Sequence, residues 1–254
     1  YLVGALALSL LVAVKQKQGD LDKAPTRSAK LKLVAYGTSI GLTSCLYYVS
    51  IQYVPVSLAI VLLMQSIWMG VVFEYIKYKK PIGQGKIIAA LITIAGTILA
   101  SDVLFQEGQV SFTGILWGLA AAACYTFSLF ASSHIEKEVS SYIRSKYLII
   151  GGLVAVVLFW NTSLIGNFNG YGILLSGVIL ALFGTILPPL LFTKGIPYIG
   201  LGLASILISV ELPVSIMSAQ FFLGESMTYI QWIGVFTILF SVVIANIKMI
   251  RVKN

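Results

Sequence analysis

The chain has 254 residues, of which 58% are hydrophobic and 10% charged, with a formal net charge of +8 and a mean hydropathy of +0.95. Soluble domains carry about 25% charged residues, so this deficit excludes water as the main solvent and points to lipid. The positive charge sits at the ends of apolar segments, which reads against nucleic acid as a partner and for a membrane surface.

A hydrocarbon core about 30 Å thick takes about 20 apolar residues as helix. The chain opens inside an apolar run at Tyr1, with no start methionine. From Leu33 to Phe73 there are 41 residues without a formal charge, which is two spans divided at Gln52-Tyr53-Val54-Pro55. From Tyr147 to Thr193 there are 47, again two spans, divided by the polar, Gly-rich stretch Asn161 to Gly172. From Gly195 to Ile247 only Glu211 and Glu225 interrupt. The predicted spans are 1–14, 31–52, 56–76, 87–104, 111–133, 147–164, 171–193, 200–222 and 229–247. Open sheet edges cannot live in lipid, and no segment alternates as a barrel strand would, so the spans are helices.

All 17 basic residues fall in alternate loops and the C-terminal tail: 15–32, 77–86, 137–146, Lys194 and 248–253. The opposite loops hold Asp102, Glu107 and Glu225 and no basic residue. The positive-inside rule then makes the basic side, and the C-terminus, cytoplasmic. Nine spans ending inside place Tyr1 outside, which predicts a first helix absent from this sequence and a full complement of ten.

An offset of 145 residues aligns Tyr53-Val54-Pro55-Val56-Ser57-Leu58-Ala59 with Tyr198-Ile199-Gly200-Leu201-Gly202-Leu203-Ala204. It also carries 31–52 onto 176–197, close to the span 171–193. Each half then has five helices, and an odd number inverts the second half against the first. Inverted repeats of this kind are a common architecture of secondary transporters. The expected fold is an all-α membrane bundle of ten helices (5+5). Its first half is 1–104 (helices 2–5) and its second 105–254 (helices 6–10).

The run Val210-Glu211-Leu212-Pro213-Val214, then Phe222-Leu223-Gly224-Glu225-Ser226, then Gln231-Trp232-Ile233-Gly234, resembles the EamA-type family of the drug/metabolite transporter superfamily. In the first half Ser66 and Trp68 stand where the repeat would put Glu and Pro, and Lys79-Lys80 replaces Gly-Glu. The resemblance implies an exporter or facilitator of amino acids or similar metabolites, with the substrate in a central cavity between the halves.

Candidate site residues follow from depth. Glu211 lies mid-span, where an ionised carboxylate is costly; it is either a proton-coupling or amine-binding group or a structural carboxyl. Pro213 frees the carbonyl of Ser209, and Pro188-Pro189 free those of Gly184 and Thr185, so Ser209 and Thr185 join the candidates, a fixed packing kink being the alternative. Gln65, Ser66 and Trp68, then Thr43, Ser44, Tyr47 and Tyr48, then Tyr125 and Ser128, are polar or amphipathic at membrane depth. The expected substrate contacts are Gln65, Trp68, Tyr47, Thr43, Tyr125, Ser128, Thr185, Ser209 and Glu211. Small hydroxyls can equally serve as helix glue, and aromatic rings as core. Glu74 and Lys77, three residues apart, read as a helical ion pair at the interface. Lys194 reads as a snorkelling residue at the end of its span.

Cys45 and Cys124 have no CxxC spacing and His134 is the one histidine, so no metal or cofactor is expected. An intramembrane enzyme needs paired carboxylates or a metal set, and a single deep carboxylate disfavours it. A sugar-phosphate or nucleotide-sugar exchanger needs buried Lys or Arg for phosphate, and all basic residues sit at the boundary. A non-transporting scaffold has no need of inverted halves. The expected partners are a small-molecule substrate and the bilayer, in a bacterial cell membrane.

Overall fold

The computed structural model describes residues 1–19, 21, 25–54, 56–79, 83–100, 111–161, 177–223 and 228–251. Every element among them is helical: α1 Leu2–Lys17, α2 Arg27–Ser50, α3 Val56–Met64, α4 Ser66–Tyr78, α5 Gln84–Ala100, α6 Phe112–His134 and α7 Ser141–Trp160. Then follow α8 Gly177–Ile199, α9 Leu201–Ile208, α10 Glu211–Leu223 and α11 Tyr229–Arg251. Among the described residues, four helices are long and apolar enough to cross a membrane: Leu58–Tyr78, Phe112–His134, Ser141–Trp160 and Gly177–Ile199. Shorter apolar helices cover Gln84–Ala100, Leu201–Val214 and Tyr229–Ile244. The Gly-rich divider from 162 to 172, Lys80, Gly224-Glu225-Ser226, and the acidic loop with Asp102 and Glu107 lie outside the described residues.

Contacts divide the chain into two units, one of Tyr1–Cys45 with Phe127–Ile199, the other of Leu46–Thr126 with Gly200–Asn254. Two of the three divisions fall inside α2 and α6, and the third between α8 and α9. In the first unit, Ala5 and Leu8 of α1 pack on Ile149 of α7, and Leu33 of α2 packs on Ala131 and Leu148. Tyr1 lies against Gly152, and Lys15 against Tyr142, so α1 and α7 run antiparallel. A Cβ on Gly37 would come within 2.2 Å of the Leu148 carbonyl oxygen, so only glycine permits that approach of α2 to α7. Ala181–Ile186 of α8 is a π-helical turn, immediately before Pro188-Pro189. The missing proline N–H groups are absorbed there by widening the helix.

In the second unit, α5 and α11 form the closest pair. Thr93 meets Ser241, Gly96 meets Ile238, and Ala100 meets Gly234, so these helices are antiparallel as well. Ala100, Leu212, Val235 and Ile238 form their buried cluster. In lipid no hydrophobic drive separates helix from solvent, and close backbone approach at small residues supplies the packing instead. α4 runs antiparallel to α9, with Gly70 against Ser205 and Glu74 against Gly202. The outward face of α11 presents Ile233, Phe236, Phe240 and Val243, all exposed and apolar, as a helix facing acyl chains should.

Three pairs of element starts keep one constant offset. Adding 145 to the first residues of α3, α4 and α5 (56, 66 and 84) gives the first residues of α9, α10 and α11 (201, 211 and 229). The two long spans expected at 56–76 and 200–222 are each interrupted by an irregular turn, at Gln65 and at Ser209-Val210. Those breaks are also 145 residues apart, counting from Gln65 to Val210.

Candidate functional site

The two breaks are built differently. At the second, the amides of Ser209 and Val210 donate to the carbonyls three residues back, Ile206 (3.2 Å) and Leu207 (3.2 Å), which tightens the last turn of α9 and ends it. Pro213 lacks the N–H that would reach the Ser209 carbonyl. Leu212 N–H takes that carbonyl instead, at 3.2 Å. Pro213 is therefore not a kink in mid-helix. It is the third residue of α10, inside a first turn where proline is tolerated. Glu211 becomes the first residue of that helix.

At the first break no proline is present. Gln65 N–H turns to the Leu62 carbonyl at 3.1 Å, which leaves the Val61 carbonyl without its helical donor. The Gln65 side-chain amide fills the gap, donating to Val61 O at 3.0 Å. Its Oε1 accepts the indole N–H of Trp68 at 3.0 Å. Gln65 and Trp68 thus use these donors locally. Trp68 presents its ring, 40% exposed, with its N–H engaged by Gln65. Ser66 and Trp68 stand 145 residues before Glu211 and Pro213, so the two breaks differ in chemistry at one offset.

Around Glu211 the unit gathers aromatic groups from both sequence halves. The phenols of Tyr47 on α2 and Tyr125 on α6 both lie within electrostatic range of its carboxylate. Tyr47 and Tyr48 meet edge to face, with centroids 6.3 Å apart. Beside Tyr125, the Thr126 hydroxyl reaches the carbonyl of Ser66 at 3.4 Å and that of Ala122 at 2.9 Å. Adjacent residues of α6 therefore reach both breaks. A carboxylate suits an ammonium group by charge pairing, and a phenol face turned to the same ammonium adds cation–π attraction.

The remaining expected contacts are placed otherwise. Ser209 is fully buried and its hydroxyl donates to Ile206 O at 2.6 Å. Thr43, Ser128 and Thr185 lie in the first unit. Thr43 donates to Ser39 O and Thr185 to Ala181 O, each at 2.8 Å, so both hydroxyls serve their own helices. Ser128 is buried. Small hydroxyls in lipid commonly bond back in this way. The first unit supplies its own surprise in Arg144, placed by sequence in a loop but only 2% exposed. Its guanidinium donates to the carbonyls of Ile135 (3.0 Å), Thr193 (3.2 Å) and Ser132. It ties the C-terminal turn of α6 to α8, where carbonyls face a helix's negative end. α8 continues to Ile199, so Lys194 lies within it, donating to Tyr142 Oη at 3.2 Å. Glu74 engages Lys86, twelve residues on, rather than serving only as the expected neighbour of Lys77. Among the described residues no cluster of potential metal ligands occurs.

Comparison with known proteins follows the same lines. The chain is 26% identical over 214 residues to the threonine/homoserine exporter RhtA of Escherichia coli strain K12, covering 81% of this chain and 67% of that protein. It is 24% identical over 208 residues to the RhtA of Salmonella typhimurium strain LT2, with the same coverage. A solved structure, described only as the crystal structure of a protein, superposes with a TM-score of 0.70 at 13% identity, over 100% of this chain and 97% of that one; this shows a shared fold. The pattern of the EamA-like transporter family matches residues 1–102 and 112–247. The chain is a membrane transporter that belongs to the EamA-like transporter family.

Proposed function

We propose that this transporter exports small amine-bearing metabolites, amino acids foremost, and that Glu211 receives the amine. The observation that carries this reading is Glu211 at the start of α10, directly after a helix break, with the phenols of Tyr47 and Tyr125 in electrostatic range. Membership of a transporter family and the relatives named threonine/homoserine exporters support it. Tyr47 and Tyr125 flank the ammonium, and Trp68 offers a flat wall at the equivalent break. Ser209, Thr43, Thr185 and Ser128 act as packing groups.

The architecture proposed for this cycle is ten helices in two inverted halves, 1–104 and 105–254. Three observations support it: the constant offset of the element starts, the antiparallel pairing of α5 with α11, and that of α1 with α7. The proposed orientation puts the C-terminus in the cytoplasm of a bacterial cell. It is supported by contacts among basic-side segments within each unit, Lys32 with Glu136, Lys15 and Lys194 on the Tyr142 ring, and Lys86 with Glu74.

The test is counterflow into proteoliposomes of labelled threonine, homoserine, choline-like cations and sugar phosphates, for wild type and Glu211→Gln. Loss of one charged partner for the ammonium should raise KM by about 10- to 100-fold. Saturable amino-acid flux lost in the variant supports the reading. Flux indifferent to the substitution returns Glu211 to a structural role.

A further inference from the structure

At the basic-side end of the second unit, a carboxylate joins three helices. Glu74, near the end of α4, accepts two hydrogen bonds from the Lys86 ammonium of α5, at 3.0 and 3.2 Å. The same carboxylate accepts the Gly202 N–H of α9 at 2.9 Å. That amide is among the first of α9, which have no carbonyl partner within their own helix, and the positive end of the helix dipole favours an anion there. The sequence makes room for it. Gly200 has φ +82°, and a Cβ there would stand 2.9 Å from Glu74 Oε1; a Cβ on Gly202 would stand 2.3 Å from Oε2.

We propose that Glu74 is the releasable tie that holds the basic-side ends of the two broken helices together, and opens during each transport cycle. It crosses the sequence halves, since α4 and α5 belong to the first and α9 to the second. Its partners are wet: the Glu74 and Lys86 side chains keep 25% and 30% of their exposure. Water can therefore replace the protein partners at small cost when the contact parts. Arg144, in the first unit, is the contrasting permanent tie, buried to 2% exposure against three carbonyls. Alternating access requires some contact between halves to part on one side while the substrate position is kept. The inference rests on membership of the transporter family and not on the amine site, so failure of the Glu211 test leaves it standing.

Val71, buried at 4% exposure and packed against Gly202, reports the opening. The experiment uses the Val71→Cys protein with Cys124→Ala in membrane vesicles that expose the basic side, and an impermeant maleimide. Cys45, fully buried, is kept as the reporter of unfolding. Glu74→Ala and Lys86→Ala are each expected to raise the labelling rate at position 71 by about tenfold, with Cys45 silent. An unchanged rate at position 71 overturns the proposal, and so does labelling of Cys45 that rises in step with it.

Discussion

Replacing Gly234 with alanine tests the helix seam on which the second unit depends. The added methyl would stand 2.3 Å from the backbone nitrogen of Ala100 and 2.7 Å from both Ala100 Cα and Gly96 O. All three are backbone atoms, so no side chain can rotate away, and ordinary contact requires α5 and α11 to move apart by about 1 Å. Forced overpacking of this kind costs about 1–3 kcal/mol. The same movement lengthens the Thr93–Ser241 hydroxyl pair, now 2.6 Å, whose loss adds about 0.6 kcal/mol in a bilayer setting. Reversible unfolding in mixed micelles should show a destabilisation of about 2–3 kcal/mol. Gly195→Ala is the control, because a Cβ there meets nothing within 4 Å. Equal stability of Gly234→Ala and wild type, or an equal loss from Gly195→Ala, would refute the close-approach argument.

Arg144→Lys should fail to rescue Arg144→Ala in the same unfolding assay, because one ammonium cannot serve the carbonyls of Ser132, Ile135 and Thr193 at once. Each variant should lose about 2–4 kcal/mol, and stability near wild type for the lysine variant would contradict the clamp. Gln65→Leu removes the amide that splints the first break, costing about 1 kcal/mol. In a background where Trp117, Trp160 and Trp232 are phenylalanine, it should also shift the emission of Trp68, and an unchanged spectrum would mean the indole is held by other contacts. Tyr125→Phe, which keeps the ring face and removes the hydroxyl, should alter KM by less than about threefold, whereas Tyr125→Leu should raise it by about fivefold; equal effects would remove the cation–π role.

Helical class and the apolar spans expected at 111–133 and 147–164, where the helices Phe112–His134 and Ser141–Trp160 form, were legible because lipid imposes its own arithmetic on apolar length. The breaks were not. Pro213 announced an irregularity but placed it within a helix, because a single sequence does not say whether a proline bends a helix or starts one. Gln65 announced nothing; its amide repairs the Val61 carbonyl, and only coordinates show a side chain spent on its own backbone. Glu211 was singled out by cost alone, since a carboxylate in the middle of an apolar run needs a reason. Its tyrosines come from α2 and α6, far apart in the chain, and chain position could suggest but not pair them. Arg144 misled because basic residues near span ends ordinarily snorkel, whereas this one turns inward onto helix-end carbonyls. The Glu74 tie was hidden by Lys77, the nearer cation in sequence, while Lys86 and Gly202 meet the carboxylate only once α5 and α9 are folded beside α4.

The central claim is that Glu211 receives the amine of the cargo, and competition measures it most directly. Two unlabelled analogues of threonine are set against labelled threonine in counterflow: one keeps the amine and replaces the carboxylate with an alcohol, the other keeps the carboxylate and replaces the amine with a hydroxyl. The account predicts that the amino alcohol competes in wild type and loses its hold in Glu211→Gln, while the hydroxy acid competes in neither. Competition by the hydroxy acid alone, unaffected by Glu211→Gln, would contradict it.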